Sequence, residues 1–205
     1  EVLEPYDRVA PLTVLRNETR QGYAASLDRL IREAVRASDY PKRDGLLVMQ
    51  SDFSDDPAAV PDFIRRFQGG ADLVAGARSG FSVAPRSARA VRLGARLVAR
   101  PGGIPEGLTD PWYGFRLYRL VALRRALALL DEGEPLMTED GWAANLQLLL
   151  RVAPHLRQWD EVGVPYDTSR RYRASRFRPL DELRSLWRAG RAARRPSPAV
   201  ATESA

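Results

Sequence analysis

"GLLVMQSDFSDDPAAVPDFIRRFQGGADLVAGAR", residues 45 to 78, decides the fold. It opens on a continuous apolar run, Gly45 to Met49, of the kind carried by a strand buried on both faces. A polar cluster with three aspartates follows, and Pro57 closes it. Val60, Phe63, Ile64 and Phe67 then recur at helical spacing until Gly69 and Gly70 stop the helix. Ala71 to Arg78 reads as the next strand. Strand, helix, strand with short connections predicts an α/β protein with a parallel sheet and right-handed crossovers.

The same alternation extends outward. Upstream, "PLTVL" (11 to 15) predicts a short buried strand, and "YAASLDRLIREAVRA" (23 to 37) a helix with Leu27, Leu30, Ile31, Ala34 and Val35 on one face. Downstream, "APRSARAVRLGARLVAR" (84 to 100) predicts a basic amphipathic helix broken by Pro101. "GFRLYR" (114 to 119) predicts a strand leading into the helix "LVALRRALALL", and "DGWAANLQLLLRV" (140 to 152) a helix with a broad apolar face. "WDEVGVPY" (159 to 166) predicts a last strand, with Pro165 marking an edge. "LDELRSLWRAGRAAR" (180 to 194) predicts a helix. No internal repeat is visible. The expected organisation is one domain over residues 1 to 195 and a disordered tail over 196 to 205.

Composition bounds the chemistry. The 205 residues are 44% hydrophobic, enough for one domain with its own core. No cysteine is present, which excludes disulfides and thiolate metal sites. His155 is the only histidine, so a multi-histidine metal centre is excluded too. No apolar run is long enough to span a bilayer, and no signal peptide is visible. The net charge of +6 is uneven: residues 170 to 195 hold ten Arg against Asp181 and Glu182, a local net of +8. Lys42 is the only lysine, so arginine richness reflects a habit of composition as much as a binding surface. That habit and the lack of cysteine fit a bacterial cytoplasmic protein.

The acidic cluster after Met49 has two readings. Ser54 and Asp55 suit the N-terminus of the following helix, where they would satisfy orphan N–H groups. The carboxylates also suit a cation and phosphate site, because open α/β sheets bind ligands at the carboxyl ends of their strands. The two are compatible.

Six segments in order carry a resemblance: "NETRQGYAASL" (17 to 27), "VMQSDFSDDP" (48 to 57), "GGADLVAGAR" (69 to 78), "DPWYGFRLYR" (110 to 119), "TED" (138 to 140) and "EVGVPYDTSRRYRASRF" (161 to 177). Over about residues 12 to 178 the chain resembles the inverting family 2 glycosyltransferases of GT-A fold, nearest the polyprenyl-phosphate mannose and glucose synthase branch. The resemblance implies a Rossmann-like, mostly parallel sheet in a three-layer α/β/α arrangement. It also implies a nucleotide-sugar donor (GDP- or UDP-hexose), Mg²⁺ or Mn²⁺, and a polyprenyl-phosphate or glycan acceptor. Two departures stand out. The family's first strand–helix–strand unit would lie before Glu1, so the chain is expected to be N-terminally truncated. The family's Asp-x-Asp metal motif is Gln50-Ser51-Asp52 here, leaving Asp52 as the metal ligand and Gln50 an uncharged carbonyl.

Further site residues follow from the same resemblance. Arg78 matches an arginine that contacts phosphate, a role suited to the guanidinium fork. Arg86 corresponds loosely to an acceptor-phosphate loop. Asp110 and Trp112 match an acidic residue and an aromatic near the sugar, against the plainer reading of a turn with core aromatics. In the "TED" segment a carboxylate, Asp140 before Glu139, would act as general base toward an acceptor hydroxyl. Alternatively Thr138 caps a helix and both acids sit in its first turn. Arg170 or Arg171, with Ser175 and Arg176, would close over the donor diphosphate.

Three functions are therefore weighed: a metal-assisted hexosyltransferase, a catalytically impaired glycosyltransferase-like binding or scaffold domain, and a basic module at a membrane surface. The third rests on residues 84 to 100 and 180 to 194, and would place the protein at the inner face of the membrane. Nucleic acid is not expected as a partner, since no recognisable nucleic-acid fold carries stacking aromatics.

Overall fold

Gly45–Val48 forms strand β1, and its chain direction sets that of most of the sheet. The computed structural model describes residues 11–50, 54–79, 103–165, 184–185 and 187–189. Helix α1 spans Tyr23–Ala37, and α2 spans Val60–Gln68 behind a 3-10 turn at Pro57–Ala59. Strand β2 is Leu73–Ser79, and β3 is Arg116–Arg119. Helix α3 is Leu120–Leu127 and α4 is Gly141–Val152, followed by a 3-10 turn at Ala153–His155. Strand β4 is Trp159–Pro165. The helix expected over 84 to 100 and the tail after 195 lie outside the described residues.

The sheet order is β1-β3-β2-β4. Strand β3 is antiparallel to both neighbours, while β2 and β4 pair in parallel from Leu73 opposite Trp159 to Ser79 opposite Pro165. Three strands thus share one direction, as a chain alternating strands and helices requires. Consecutive β1 and β2 do not pair, because β3 inserts between them. It starts where β1 ends and partway along β2, with Arg116 opposite both Val48 and Ala75. Strand β4 lies at the end of the order, where Pro165 costs no ladder bond.

Alternation along the strands sorts the core into two layers. Leu73, Ala75 and Tyr118 face α1, α3 and α4, meeting Leu27, Ile31, Leu123, Leu148 and Leu149. Val74, Leu117, Val162 and Val164 face the other way, onto Phe63 and Phe67 of α2. The result is helices, sheet, helix: three layers.

Two expectations change. Residues 11 to 15 form no strand, and Leu12 and Val14 are exposed. Among the described residues no strand pairs with them; instead Arg29 donates to the Arg16 carbonyl and the Asn17 side chain, laying this segment along α1. Leu46, Leu47 and Val48 are half-buried rather than buried on both faces, because β1 is an edge of the described sheet.

At the opposite edge from the carboxyl ends, Asp72 and Arg119 lock the layers together. The Arg119 Nε donates to Asp72 Oδ1 at 2.9 Å, and its Nη2 to the Phe67 and Ala71 carbonyls. The guanidinium also lies 4.0 Å over the Phe67 ring. Burial alone would raise the Asp72 carboxyl. The Arg157 backbone N–H and guanidinium, with Arg119, outweigh it and hold it below the usual 3.8. A carboxylate depressed on folding adds stability above its unfolded value and loses it as pH falls through the folded one. Asp72→Ala, which removes a buried acceptor shared by Arg119 and the Arg157 N–H but leaves Arg119 its carbonyl partners, is expected to cost about 2 kcal/mol in urea unfolding. From about pH 5 downward the urea midpoint of wild type should fall more steeply than that of Asp72→Asn. Parallel acid profiles would contradict this assignment.

Candidate functional site

The carboxyl ends of β1 and β2, the segment leading into β3 and the start of α4 converge at one edge of the sheet. Gln50 and Asp55 lie just beyond β1. Asp55 is 1% exposed, and its Oδ2 accepts the Gln50 backbone N–H at 2.7 Å. Its Oδ1 accepts the Tyr113 hydroxyl at 2.6 Å. Neither Ser54 nor Asp55 caps the following turn; Asp56 does, accepting the Ala58 N–H at 3.0 Å. Pro57 occupies the first helical position, so the cap falls on the residue before it.

Arg78 sits at the end of β2, with its side chain inside. Its Nε donates to Asp110 Oδ2 at 2.7 Å, and both side chains are buried. The guanidinium lies 4.6 Å from the Tyr113 ring centroid and 5.9 Å from that of Trp142. Gly76 makes room for this stack: a Cβ there would come within 2.9 Å of the Tyr113 ring. Trp112, by contrast, packs beneath α4 with Ala143, Leu146 and Leu150 at 2% exposure, as core.

Below this layer is a polar network. Arg116 is 1% exposed and donates to the Asn145 and Pro111 carbonyls, at 2.8 and 2.5 Å, and to the Tyr118 hydroxyl. The Asn145 side chain donates to the Trp112 carbonyl and accepts from the Tyr23 hydroxyl. Burial, followed by the neighbouring Tyr118, pushes the Tyr23 phenol up to about 12.

The "TED" acids point elsewhere than expected. Asp140 is the residue before α4 but makes no side-chain bond to that helix. Its Oδ1 accepts the Ala24 N–H at 2.9 Å, capping α1 from 116 residues away. Gly22 has φ of +88°, and a Cβ there would lie 3.1 Å from Asp140 Oδ2. Thr138 does not cap α4 either; Gln147 reaches back from inside the helix to accept the Thr138 and Glu139 N–H groups. Glu139 accepts a two-pronged contact from Arg188 at 2.9 and 3.0 Å. Beside it Ala189 is fully buried with Trp112 and Leu146. Within the 180 to 194 segment Ala189 thus packs on α4, while Trp187 and Arg188 stay exposed.

Gln50, Arg78, Asp110 and Trp142 therefore share one edge. Asp52, Arg86, Arg170, Arg171, Ser175 and Arg176 lie outside the described residues. Among the described residues no group of three or more His, Cys, Asp or Glu is placed to hold a metal ion, and no helix is long and apolar enough to cross a membrane.

No protein-family model matches the chain, and no curated protein does. Solved structures do match. Glucosyl-3-phosphoglycerate synthase from Mycobacterium tuberculosis, in complex with Mn²⁺, UDP and phosphoglyceric acid, is 22% identical over 86% of this chain and 54% of that one, with a TM-score of 0.52. Another crystal structure of that synthase gives 20% identity over 91% and 57%, with a TM-score of 0.51. The fold is GT-A. The chain spans little over half the length of these solved structures.

Within this GT-A frame, sequence reasoning missed the Asp55–Tyr113 bond, the Arg116 network and the Glu139–Arg188 contact. Only one carried a signal. Asn145 and Gln147 interrupt an otherwise apolar helix face, and a buried amide demands partners.

The Asp140 geometry separates a cap from a base. Asp140→Ala is expected to cost about 1 kcal/mol by thermal or urea unfolding, because α1 loses its cap, while Asp140→Asn keeps an acceptor and costs only a few tenths. No loss in Asp140→Ala would show that the Ala24 contact contributes nothing.

Proposed function

We propose that the chain is an inverting glycosyltransferase that moves a hexose from a nucleoside-diphosphate sugar to a phosphate-bearing or hydroxyl acceptor. The observation that carries this reading is the carboxyl edge of a GT-A sheet where Gln50 follows β1, Arg78 lies next to last in β2 and Asp110 and Trp142 close around the arginine. Similar solved structures hold Mn²⁺ or Mg²⁺ with UDP, and one holds UDP-glucose with glycerol 3-phosphate. These support a UDP-sugar donor over a GDP-sugar and widen the acceptor from polyprenyl phosphate to small phosphorylated compounds.

The residues divide the work by charge. A departing nucleoside diphosphate gains negative charge, which a divalent cation neutralises as a Lewis acid. The described carboxylates do not form a cage for it by themselves. Mg²⁺ commonly takes only one or two carboxylates beside substrate phosphates, so Asp52 is assigned as the protein ligand. Arg78 supplies fixed positive charge at the same edge. Its pairing with Asp110 keeps the guanidinium oriented where water is scarce, and there an electrostatic contact counts for most. Asp140 keeps one oxygen on Ala24, and its other oxygen is the candidate base toward a hydroxyl acceptor. A phosphate acceptor, already ionised, would need none.

A second reading keeps the fold and drops the catalysis. Gln50 stands where the resemblance expects a carboxylate, which favours a binding or scaffold domain. The membrane-surface module keeps some support, since Trp187 is exposed beside Arg188 while, among the described residues there, only Ala189 is buried.

Calorimetry of the chain with UDP and GDP, with and without Mn²⁺, tests the proposal. Manganese-dependent binding of UDP that is lost in Asp52→Ala is the expected result. A folded chain that binds neither nucleotide, with or without metal, would leave the scaffold reading.

A further inference from the structure

We propose that Tyr113 and Asp55 are positioning residues that set the distance between Gln50, just after β1, and Arg78 in β2. The inference rests on the donor-site reading above and assigns that site a spacer.

Three contacts on one side chain carry it. The Tyr113 hydroxyl donates to Asp55 at 2.6 Å, its ring face carries the Arg78 guanidinium at 4.6 Å, and its edge lies against Gly76, where any larger residue would collide. A single buried ring thus touches a carboxylate at one end and a cation on its face. Asp55 does the complementary task for the backbone. By accepting the Gln50 N–H it ties residue 55 back to residue 50. Asp110 completes the frame, since it grips Arg78 from the turn that also bears Tyr113.

Each of these groups is costly to bury alone. A carboxylate at 1% exposure persists only with donors in place, and the Gln50 N–H and Tyr113 hydroxyl are two of them. A nucleoside diphosphate would span from Gln50 to Arg78. The Asp55–Tyr113 bond fixes the width of that span before the ligand arrives. Preorganisation of this kind lowers the cost of binding without adding a contact to the ligand.

The discriminating variant is Tyr113→Phe, which keeps the ring, the Gly76 fit and the Arg78 stack but removes the hydroxyl. In calorimetry with UDP and Mn²⁺ its Kd is expected to rise about tenfold, and the enhancement of UDP binding by Mn²⁺ is expected to shrink. Asp55→Asn is the second variant. Its amide can accept from Gln50 and donate to the Tyr113 hydroxyl, so geometry is kept and charge is lost. UDP–Mn²⁺ affinity within about threefold of wild type is expected there. Unchanged affinity in folded Tyr113→Phe would overturn the spacer and leave the donor site standing. A loss in Asp55→Asn as large as in Tyr113→Phe would assign the effect to charge and overturn it also. A wild-type chain that binds neither UDP nor GDP with Mn²⁺ overturns the donor reading itself, and the spacer with it.

Discussion

A guanidinium cut off from water, that of Arg116, is what the carboxyl edge of this sheet is built around. It stands at the first position of β3, opposite Val48 on one side and Ala75 on the other. A charge there needs acceptors, and the chain supplies them from three places: the Pro111 carbonyl, the Asn145 carbonyl and the Tyr118 hydroxyl. Meeting that demand ties together the turn before β3, the middle of α4 and the sheet. Its Nε finds no partner among the described residues, so the site carries some of the cost that buried polar groups exact.

The consequences spread upward. Once Pro111 is held, Asp110 and Tyr113 are delivered on either side of it, and both reach Arg78. Once Asn145 is held, α4 presents Trp142 to the same arginine. Two buried arginines one layer apart would repel in a uniform medium. Here one is met by a carboxylate and aromatic faces, the other by neutral oxygens that solvate charge without adding any.

Helix α1 enters this design through Asp140. A 15-residue helix concentrates partial positive charge at its N-terminus, and Gly22 gives it no side chain to satisfy the exposed N–H groups. The carboxylate before α4 fills that role, so the starts of two helices are coupled through one residue. Any catalytic duty for Asp140 is added to a structural one, and the helix end that binds one oxygen also orients the other.

The elements were largely legible in the sequence. Leu27 and Ile31, or Phe63 and Phe67, recur with the period of a helix, and the alternation of Leu73, Val74 and Ala75 separates two faces; such patterns depend only on neighbours along the chain. Legible too was that Gln50, Asp55 and Arg78 would share one edge, because strands of one direction end together. The strand expected over 11 to 15 failed because apolar composition cannot supply a pairing partner. The order of the strands was hidden for a related reason: nothing local says that β3 slips between β1 and β2. Which group each site residue holds was decided only in three dimensions. Asp55 and Tyr113 are 58 residues apart, and Ala24 and Asp140 are 116 apart, so no spacing rule joins them. Periodicity is written residue by residue, whereas a buried charge takes whatever donor the finished packing brings within reach.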